Sequence, residues 1–357
     1  MMAKFSDVLT IINGRNQKQV ECENGKYPIY GSGGIMGYAN DYICEAETVI
    51  IGRKGNINKP IFVETPFWNV DTAFGLCANR KKLNPKYLYY FCEKFDFEKL
   101  NTTVTIPSLT KANLLSIEIP LPDLNQQERI STYFDKVSDL ISLRKQQLAK
   151  LDELVKARFV EMFGECSSIR PQKLKEVTRR VKVGFVGTCE KYYTDNTGVP
   201  MLRTTNITSH GIDLKDLKYV TKTFHEKNLK SQVHKGDLLI ARHGSNGQAN
   251  VYYGDEAQCL NAIIIEPDSN ITNPIFLVNL INSRRVKRQI EKELVGSTQH
   301  VLNTTTLANV EVEIPAIKDQ QAFAAFVERV DQQKRTVQQS LEKLELMKKA
   351  LMQEYFG

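Results

Sequence analysis

The sequence predicts an α+β protein with two globular domains of mixed α/β structure and two long helices that pair as a coiled coil, as a pseudo-twofold internal repeat. Three observations support this prediction. The chain ends in a long run whose apolar residues have helical spacing, a similar run lies near the middle, and the segments before the two runs share short motifs in the same order. A tandem duplication in the order globular, helix, globular, helix explains all three.

The long helices are predicted over residues 125–164 and 319–357. Their apolar residues recur at steps typical of one helical face, and neither run contains proline, so each forms a helix of about 38 residues, roughly 57 Å long. An ordinary helical hairpin would show the same stripe, but the duplication favours pairing of the two copies, although Arg144 and Lys348 interrupt the seam. The matched apolar positions are Tyr133, Val137, Leu148, Leu151 and Met162 in the first helix and Phe326, Val330, Leu341, Leu344 and Tyr355 in the second.

The globular domains are predicted over residues 1–124 and 165–318, and both mix strands with short helices. β-branched runs such as residues 48–51 and 262–265 are bounded by Gly, Asn or Pro, which is typical of strands.

Two Asn-Pro pairs, at Asn84 and Asn273, are typical of helix starts with Asn as the cap and Pro in the first turn. The helices that they begin are expected to extend to about Leu100 and Leu294. Because the two pairs fall at matching places in the two halves, they also support the duplication.

The composition excludes several classes of protein. Apolar residues make up 41% and charged residues 25% of the chain, and no apolar run is long enough to cross a membrane. The seven cysteines form neither a CxxC pair nor a cluster with histidine, so we expect no metal site and a reducing cytoplasmic location. No catalytic histidine, serine or cysteine pattern is recognisable, so no catalytic residue is predicted. The net charge is +7, and its largest share falls in residues 165–316, which is compatible with nucleic acid.

Cationic and amide side chains follow an apolar strand at the same place in both halves. Arginine can bind guanine through two hydrogen bonds, asparagine can do the same with adenine, and lysine suits phosphates. A solvated hairpin tip is the alternative for either loop, but the occurrence of both favours contact with DNA. The candidates are Arg53, Lys54 and Asn56 in the first half and Arg242, His243, Ser245 and Asn246 in the second.

A glycine-rich segment at residues 31–37 offers a turn or a close approach of backbone to phosphate. It lacks the Lys-Ser/Thr ending of a P-loop, so a nucleotide site is the weaker interpretation. Residues 203–206 and 296–300 add hydrogen-bonding groups, which could equally cap local turns. The further DNA-binding candidates from these segments are Tyr30, Ser32, Gly33, Arg203, Asn206, Gln299 and His300.

Several segments form a recognisable set, at residues 27–34, 51–55, 67–72 and 119–127 and, in the second half, at 296–299 and 314–321. Together with the duplication, they resemble the specificity subunits of type I restriction-modification systems, over essentially the whole chain. The connector into the second long helix, near Ile317, departs from the pattern because it is one residue shorter and lacks the second proline.

That resemblance implies two target-recognition domains that each read half of a split sequence in double-stranded DNA. It implies an antiparallel pair of helices that acts as a spacer and docks two methyltransferase subunits, and motor-nuclease subunits that join through them. S-adenosylmethionine and ATP would then belong to the partners, so no cofactor is expected here.

Two other functions remain open from the residues alone. One is a coiled-coil adaptor that binds only proteins, and the other is a phosphate- or nucleotide-handling enzyme that uses residues 31–37.

Overall fold

The computed structural model describes residues 1–100, 108–164, 169–208, 211–242, 248–295 and 302–357. The chain forms two units, the first made of Met1–Gln147 with Val337–Gly357 and the second of Leu148–Thr336. Each unit contains one globular segment and part of both long helices.

In the first unit, a small antiparallel strand pair joins the two ends of the globular segment, and the main sheet is four-stranded. The strands are β1 Met2–Lys4, β2 Leu9–Asn13, β3 Tyr27–Gly31, β4 Gly34–Ala39, β5 Thr48–Gly52, β6 Ile61–Val63, β7 Trp68–Asn69, β8 Ala73–Ala78 and β9 Glu118–Pro120. The helices are α1 Phe5–Val8, α2 Pro85–Lys94, α3 Lys111–Leu115 and the long α4 Leu124–Phe163, which continues into the second unit.

The second unit has the same plan with insertions. Its strands are β10 Gln172–Lys173, β11 Thr178–Val183, β12 Tyr193–Thr194, β13 Val199–Arg203, β14 Ile207–Thr208, β15 Gly211–Ile212, β16 Lys218–Val220, β17 Gln232–Val233, β18 Leu238–Ala241, β19 Ala249–Val251, β20 Ala257–Leu260, β21 Ala262–Pro267 and β22 Glu311–Val312. Its helices are α5 Lys222–Lys227, α6 Pro274–Ile281, α7 Arg284–Val295, α8 Thr304–Ala308 and the long α9 Ile317–Phe356, which continues into the first unit.

The two units share one sheet topology. The main sheet has the order β2-β8-β5-β6 in the first and β11-β21-β18-β19 in the second, and all neighbours in it are antiparallel. A second sheet in each contains one parallel pair, β3 with β7 and β13 with β20. The expected α+β class with mixed sheets and an internal repeat is therefore confirmed, and so are the strands expected at residues 48–51 and 262–265.

Both long helices have 40 residues, or about 60 Å at 1.5 Å per residue. In the first unit, Phe134 of α4 stacks on Phe356 of α9 with ring centroids 5.8 Å apart, and Lys145 pairs with Glu345 at 3.0 Å. The start of one helix thus lies along the end of the other, so they run antiparallel within this unit.

The same pairing occurs within the second unit, where the ring of Phe159 in α4 meets that of Phe323 in α9 at 5.4 Å. Lys334 and Asp152 form an ion pair at 2.6 Å in the same unit.

The predicted apolar seam between the long helices was wrong at Tyr133 of the first unit, which is 45% exposed. The buried apolar residues of this stretch are Ile130, Phe134 and Val137, because a spacing of four and then three keeps the face that meets the core.

The end of each long helix joins the core beside a helix that begins at an Asn-Pro pair. Phe356 meets Tyr87 of α2 with ring centroids 5.1 Å apart, and Phe163 meets Phe276 of α6 at 4.9 Å. Burial of such aromatic side chains provides much of the stabilisation of each unit. None of the described helices combines the length and the apolar character that a bilayer crossing demands.

Both Asn-Pro helix starts are confirmed. The Asn84 side chain accepts hydrogen bonds from the backbone N–H groups of Lys86 and Tyr87, and Asn273 caps α6 in the same way.

The expected ends of these two helices were wrong, because both helices break early. α2 stops at Lys94, since Phe95 is extended and its ring packs against Phe97 with centroids 5.0 Å apart. α6 stops at Ile281, where the Asn282 side chain exchanges two hydrogen bonds of 2.9 Å with the backbone of Ala249. A tertiary partner therefore outweighs helix continuation at the end of α6, whereas the contact at the end of α2 is local.

Candidate nucleic-acid interface

Three segments of the first unit meet where β5 ends. The backbone N–H of Arg53 donates to the carbonyl of Thr72 at 2.8 Å, which joins the residues after β5 to the turn before β8. The β3–β4 turn lies against the same place, since a Cβ added at Gly52 would come within 3.0 Å of Ser32 Cβ and 2.4 Å of the Asn56 carbonyl oxygen. Only glycine fits at position 52, so the sequence there is dictated by the close packing of two loops.

Arg53, Lys54 and Asn56 project from this junction and are exposed. The Arg53 guanidinium lies over the Phe74 ring, 5.7 Å from its centroid, which supports the side chain without using its hydrogen-bond donors. Within the described residues, neither Arg53 nor Lys54 forms an ion pair. Asp71, which precedes the Thr72 partner of the Arg53 N–H, is itself exposed. Cationic donors that are not neutralised by neighbours remain available to an anionic ligand.

The glycine-rich turn contributes mainly backbone atoms to this surface. Tyr30 is partly buried, its ring meets Phe67 edge-on at 5.4 Å, and burial together with the nearby Tyr38 raises the pKa of its hydroxyl. Ser32 is half-buried, whereas Gly33 is exposed and an added Cβ would lie 4.0 Å from the Asn56 side-chain nitrogen. The turn and the Asn56 side chain therefore form one continuous surface.

Two exposed apolar side chains beside this turn were missed by the sequence reasoning. Ile35 and Met36 of β4 are 56% and 62% exposed. These two residues lie between Gly34 and Gly37. Alternate residues of a strand face opposite sides, so the sequence predicts exposure of only one of two neighbours. Apolar side chains of this kind can contact the methyl group of thymine.

In the second unit, Arg242 occupies the place of Arg53. It follows β18, and its carbonyl accepts a hydrogen bond from the Leu302 N–H at 3.3 Å, as the Arg53 carbonyl does from Leu109 at 3.0 Å. Arg242 is only partly exposed, and its guanidinium donates to the Asn261 side-chain oxygen at 3.0 Å and to the Leu302 carbonyl at 3.3 Å. Sequence reasoning paired the two arginines but missed Asn261.

Arg203 and Asn206 are engaged inside the second unit. The Arg203 guanidinium donates to the Asp216 carbonyl at 2.8 Å and lies 3.4 Å from its carboxylate. Asn206 is 3% exposed, its side-chain oxygen accepts from the Arg203 N–H at 3.0 Å, and its amide donates to the Asp213 carbonyl at 3.1 Å. A base contact by Asn206 would have to replace these hydrogen bonds, so its geometry is that of a turn-stabilising residue.

Five of the candidates fall outside the described residues. They are His243, Ser245, Asn246, Gln299 and His300.

The geometry of residues 31–37 does not favour a nucleotide site. These residues form the turn between two antiparallel strands and continue as β4. A P-loop instead leads from a strand into a helix whose N-terminus faces the phosphates.

One group of possible metal ligands exists within the described residues, formed by His234, Asp237 and Glu266. Its carboxylates already have partners. Asp237 accepts from the His234 N–H at 2.8 Å, and Glu266 lies 3.4 Å from Arg180 and 3.9 Å from Lys182. These contacts give the group a role in the turn before β18.

Comparison with known proteins places these features in a family. The family model described as the type I restriction modification DNA specificity domain matches residues 1–153 and 181–346. A putative type I restriction enzyme specificity subunit of Haemophilus influenzae is 23% identical over 92% of this chain and 86% of its own length. The MjaVIII type I restriction enzyme specificity subunit of Methanocaldococcus jannaschii is 24% identical over 86% of this chain and 75% of its own length.

The fold is similar to that of a solved structure. The S subunit of a type I restriction-modification system from M. genitalium aligns over 100% of this chain and 96% of its own, with a TM-score of 0.65 and 16% sequence identity.

Proposed function

The chain belongs to the type I restriction modification DNA specificity domain family, and we propose that it reads a bipartite sequence in double-stranded DNA, with one half-site for each globular domain. The matched relatives are named specificity subunits. The chain is accordingly a specificity subunit of a type I restriction-modification system and not its catalytic component. In this proposal residues 1–124 and 165–318 are the recognition domains, and residues 125–164 and 319–357 form the spacer.

One observation supports DNA reading most directly. An arginine follows the equivalent buried strand in both units, at Arg53 and Arg242, and both carbonyls are tied to the segment that precedes a short helix. A duplicated cationic position is what a two-part target requires, because each half-site then meets an equivalent reader. Lys54 and Asn56 extend the cationic and amide surface of the first unit.

The exposed turn around Gly33 and the apolar pair Ile35 and Met36 complete the surface proposed for the first domain. Tyr30 and Ser32 support this turn. In the second domain we propose Arg242 as the principal DNA-contacting residue. We assign Arg203 and Asn206 to the support of the turn that they themselves form. His243, Ser245, Asn246, Gln299 and His300 stay predictions.

The proposed protein partners are two methyltransferase subunits, docked on the helices, and motor-nuclease subunits that join through them. S-adenosylmethionine and ATP would be bound by these partners. Exposed apolar side chains on the helices support docking, since Leu143 is 57% exposed and Leu346 is 67% exposed. A protein-only adaptor would use the same helix surface but would not need the arginine loops.

The proposal is tested with the chain co-expressed with the methyltransferase subunits of its own system. Sequencing of modified adenines gives the target, and fluorescence anisotropy at fixed salt gives its affinity. We expect Arg53→Ala and Arg242→Ala each to weaken binding to the target by about 5- to 150-fold, which is the range for loss of a base-reading arginine.

Arg80→Ala is the matched control, since it removes the same charge from the first domain. Arg80 pairs with Glu47 at 2.9 Å, at the end of the main sheet opposite to Arg53. Binding by all three variants within about twofold of the unaltered complex would contradict DNA reading by these loops. A complex that assembles but does not retain DNA would support the adaptor instead.

A further inference from the structure

Arg53 and Arg242 occupy equivalent positions but are supported differently. The Arg53 guanidinium rests on the Phe74 ring. The residue at the place of Phe74 in the second unit is Ile263, since Ala73 and Ala262 pair with the residues that end β5 and β18. Isoleucine offers no aromatic face, and Arg242 is held by two hydrogen bonds instead. Among the described residues, the Arg53 guanidinium has no hydrogen-bond partner, whereas the Arg242 guanidinium has two.

Asn261 is suited to fix it. Its φ angle is +53°, a left-handed conformation that asparagine tolerates better than most residues. Its backbone N–H donates to the Phe185 carbonyl at 2.9 Å, and its carbonyl accepts from the Thr204 hydroxyl at 3.3 Å. The residue is thus anchored on both sides, and its side-chain oxygen reaches Arg242 from a fixed point.

The two hydrogen bonds determine which edge of the guanidinium stays available. An arginine has five N–H donors and two edges on which a pair of donors lies parallel. The Leu302 carbonyl takes the Nε hydrogen, which blocks the edge formed by Nε and Nη2. Asn261 takes one hydrogen of Nη1, so within the described residues three donors remain, two on Nη2 and one on Nη1. The outer edge, formed by Nη1 and Nη2, is then the one left for paired recognition, and it is complete when Asn261 takes the Nη1 hydrogen that faces Cδ.

We infer that Asn261 is a positioning residue that presents the outer edge of Arg242 to guanine O6 and N7 at one position of the second half-site. The inference rests on the proposed function, and it names the base that this domain selects. Those two guanine acceptors match a pair of parallel arginine donors, whereas adenine offers one acceptor and one donor at the same places. A guanidinium that is already immobilised loses less rotamer freedom on binding. It also cannot turn to make other contacts when guanine is replaced, so discrimination between bases is sharper than for a mobile side chain. Arg53, whose guanidinium has no hydrogen-bond partner in the described part of the chain, is expected to discriminate less.

The test compares substitutions at Asn261 with one at Thr72, its counterpart before β8. Asn261→Gly removes the side-chain oxygen and still permits the left-handed backbone. Asn261→Asp keeps an acceptor oxygen, and Thr72→Ala is the matched control in the first domain. Each is measured in the assembled complex, with the mapped target and with targets in which single base pairs of the second half-site are replaced.

We expect one position of the second half-site to be guanine and its replacement by adenine to weaken binding by about 5- to 150-fold. Asn261→Gly should reduce that ratio at least about fivefold, Asn261→Asp should retain most of it, and Thr72→Ala should leave it unchanged. The thermal midpoint of each variant shows whether the fold is retained.

Three results would overturn the inference. One is a second half-site without guanine, another is an unchanged ratio in Asn261→Gly, and the third is a uniform loss of affinity for every sequence, which indicates a structural role alone. Arg242→Ala separates the two proposals. If it lowers affinity while Asn261→Gly keeps its discrimination, only the inference about Asn261 fails. If Arg242→Ala and Arg53→Ala both bind normally, the proposed function itself fails.

Discussion

A buried glutamine near the start of each long helix forms hydrogen bonds with nearby backbone groups, and its removal should destabilise the unit that contains it. Gln127 is 0% exposed. Its side-chain oxygen accepts from the Asn84 N–H at 2.8 Å, and its amide donates to the carbonyls of Lys82 at 3.0 Å and Pro122 at 2.8 Å. The side chain thus satisfies three backbone groups of the loop before α2 and the connector before α4.

Gln320 repeats this arrangement in the second unit. It is also 0% exposed, and it accepts from Asn273 N–H at 2.8 Å and donates to the carbonyls of Ile271 at 2.9 Å and Pro315 at 2.8 Å. Each glutamine belongs to a Gln-Gln pair, but the buried member is the second of the pair in one copy and the first in the other.

The expected magnitude follows from these contacts. Gln127→Ala leaves one N–H and two carbonyls without their partner, and an unsatisfied buried group costs about 1–3 kcal/mol. Water that enters the space left by the side chain restores part of this loss. We therefore expect Gln127→Ala and Gln320→Ala each to lower the free energy of unfolding by about 2–4 kcal/mol.

The neighbouring glutamines provide matched controls. Gln126 and Gln321 are exposed, so Gln126→Ala and Gln321→Ala should change the free energy of unfolding by less than about 0.5 kcal/mol. Urea unfolding followed by far-UV circular dichroism gives the midpoint and slope for all four variants. Because Gln127 and Gln320 lie in different units, two transitions, if resolved, should each respond to only one of the two buried substitutions.

Equal stability of Gln126→Ala and Gln127→Ala would refute the reasoning. So would a loss in Gln320→Ala no larger than in Gln321→Ala. Either result would mean that these helix starts do not depend on the buried side chain.

Two further predictions concern thiols and the spacer. Burial raises the pKa of the Cys259 thiol to about 12. At pH 8 iodoacetamide should therefore alkylate Cys259 far more slowly than the half-exposed Cys22. Peptide mass spectrometry of the native chain measures both rates, and equal rates would contradict this prediction. If the helices set the gap between half-sites, inserting four residues after Leu148 and four after Thr336 should lengthen each helix by about 6 Å. The gap in the DNA target should then grow by roughly two base pairs. An unchanged gap in the mapped methylation target would contradict a spacer role.

The internal repeat extends from sequence motifs to individual hydrogen bonds. Asn84 and Asn273 cap equivalent helices, and each of these residues also donates its backbone N–H to an equivalent glutamine. Such agreement indicates that the two domains keep a common frame. Differences between them then identify positions free to specialise, and the pair Thr72 and Asn261 is one of these.

Much of this organisation could be predicted from local patterns. The long helices follow from apolar spacing and the absence of proline, and the caps at Asn84 and Asn273 follow from an Asn-Pro pair. These features depend on residues within a few positions of each other. The early end of α6 could not be predicted, because the partner of the Asn282 side chain is Ala249, which is 33 residues away along the chain.

Local patterns in the sequence thus predict the duplicated plan, the strands, the helix starts and the positions of the two arginines. They do not predict which glutamine of each pair is buried or which arginine is held, since Arg242 meets Asn261 and Leu302 only after the chain has folded. Periodicity and capping act between near neighbours, whereas the donors and acceptors of a buried side chain are satisfied by groups that folding brings from distant parts of the chain.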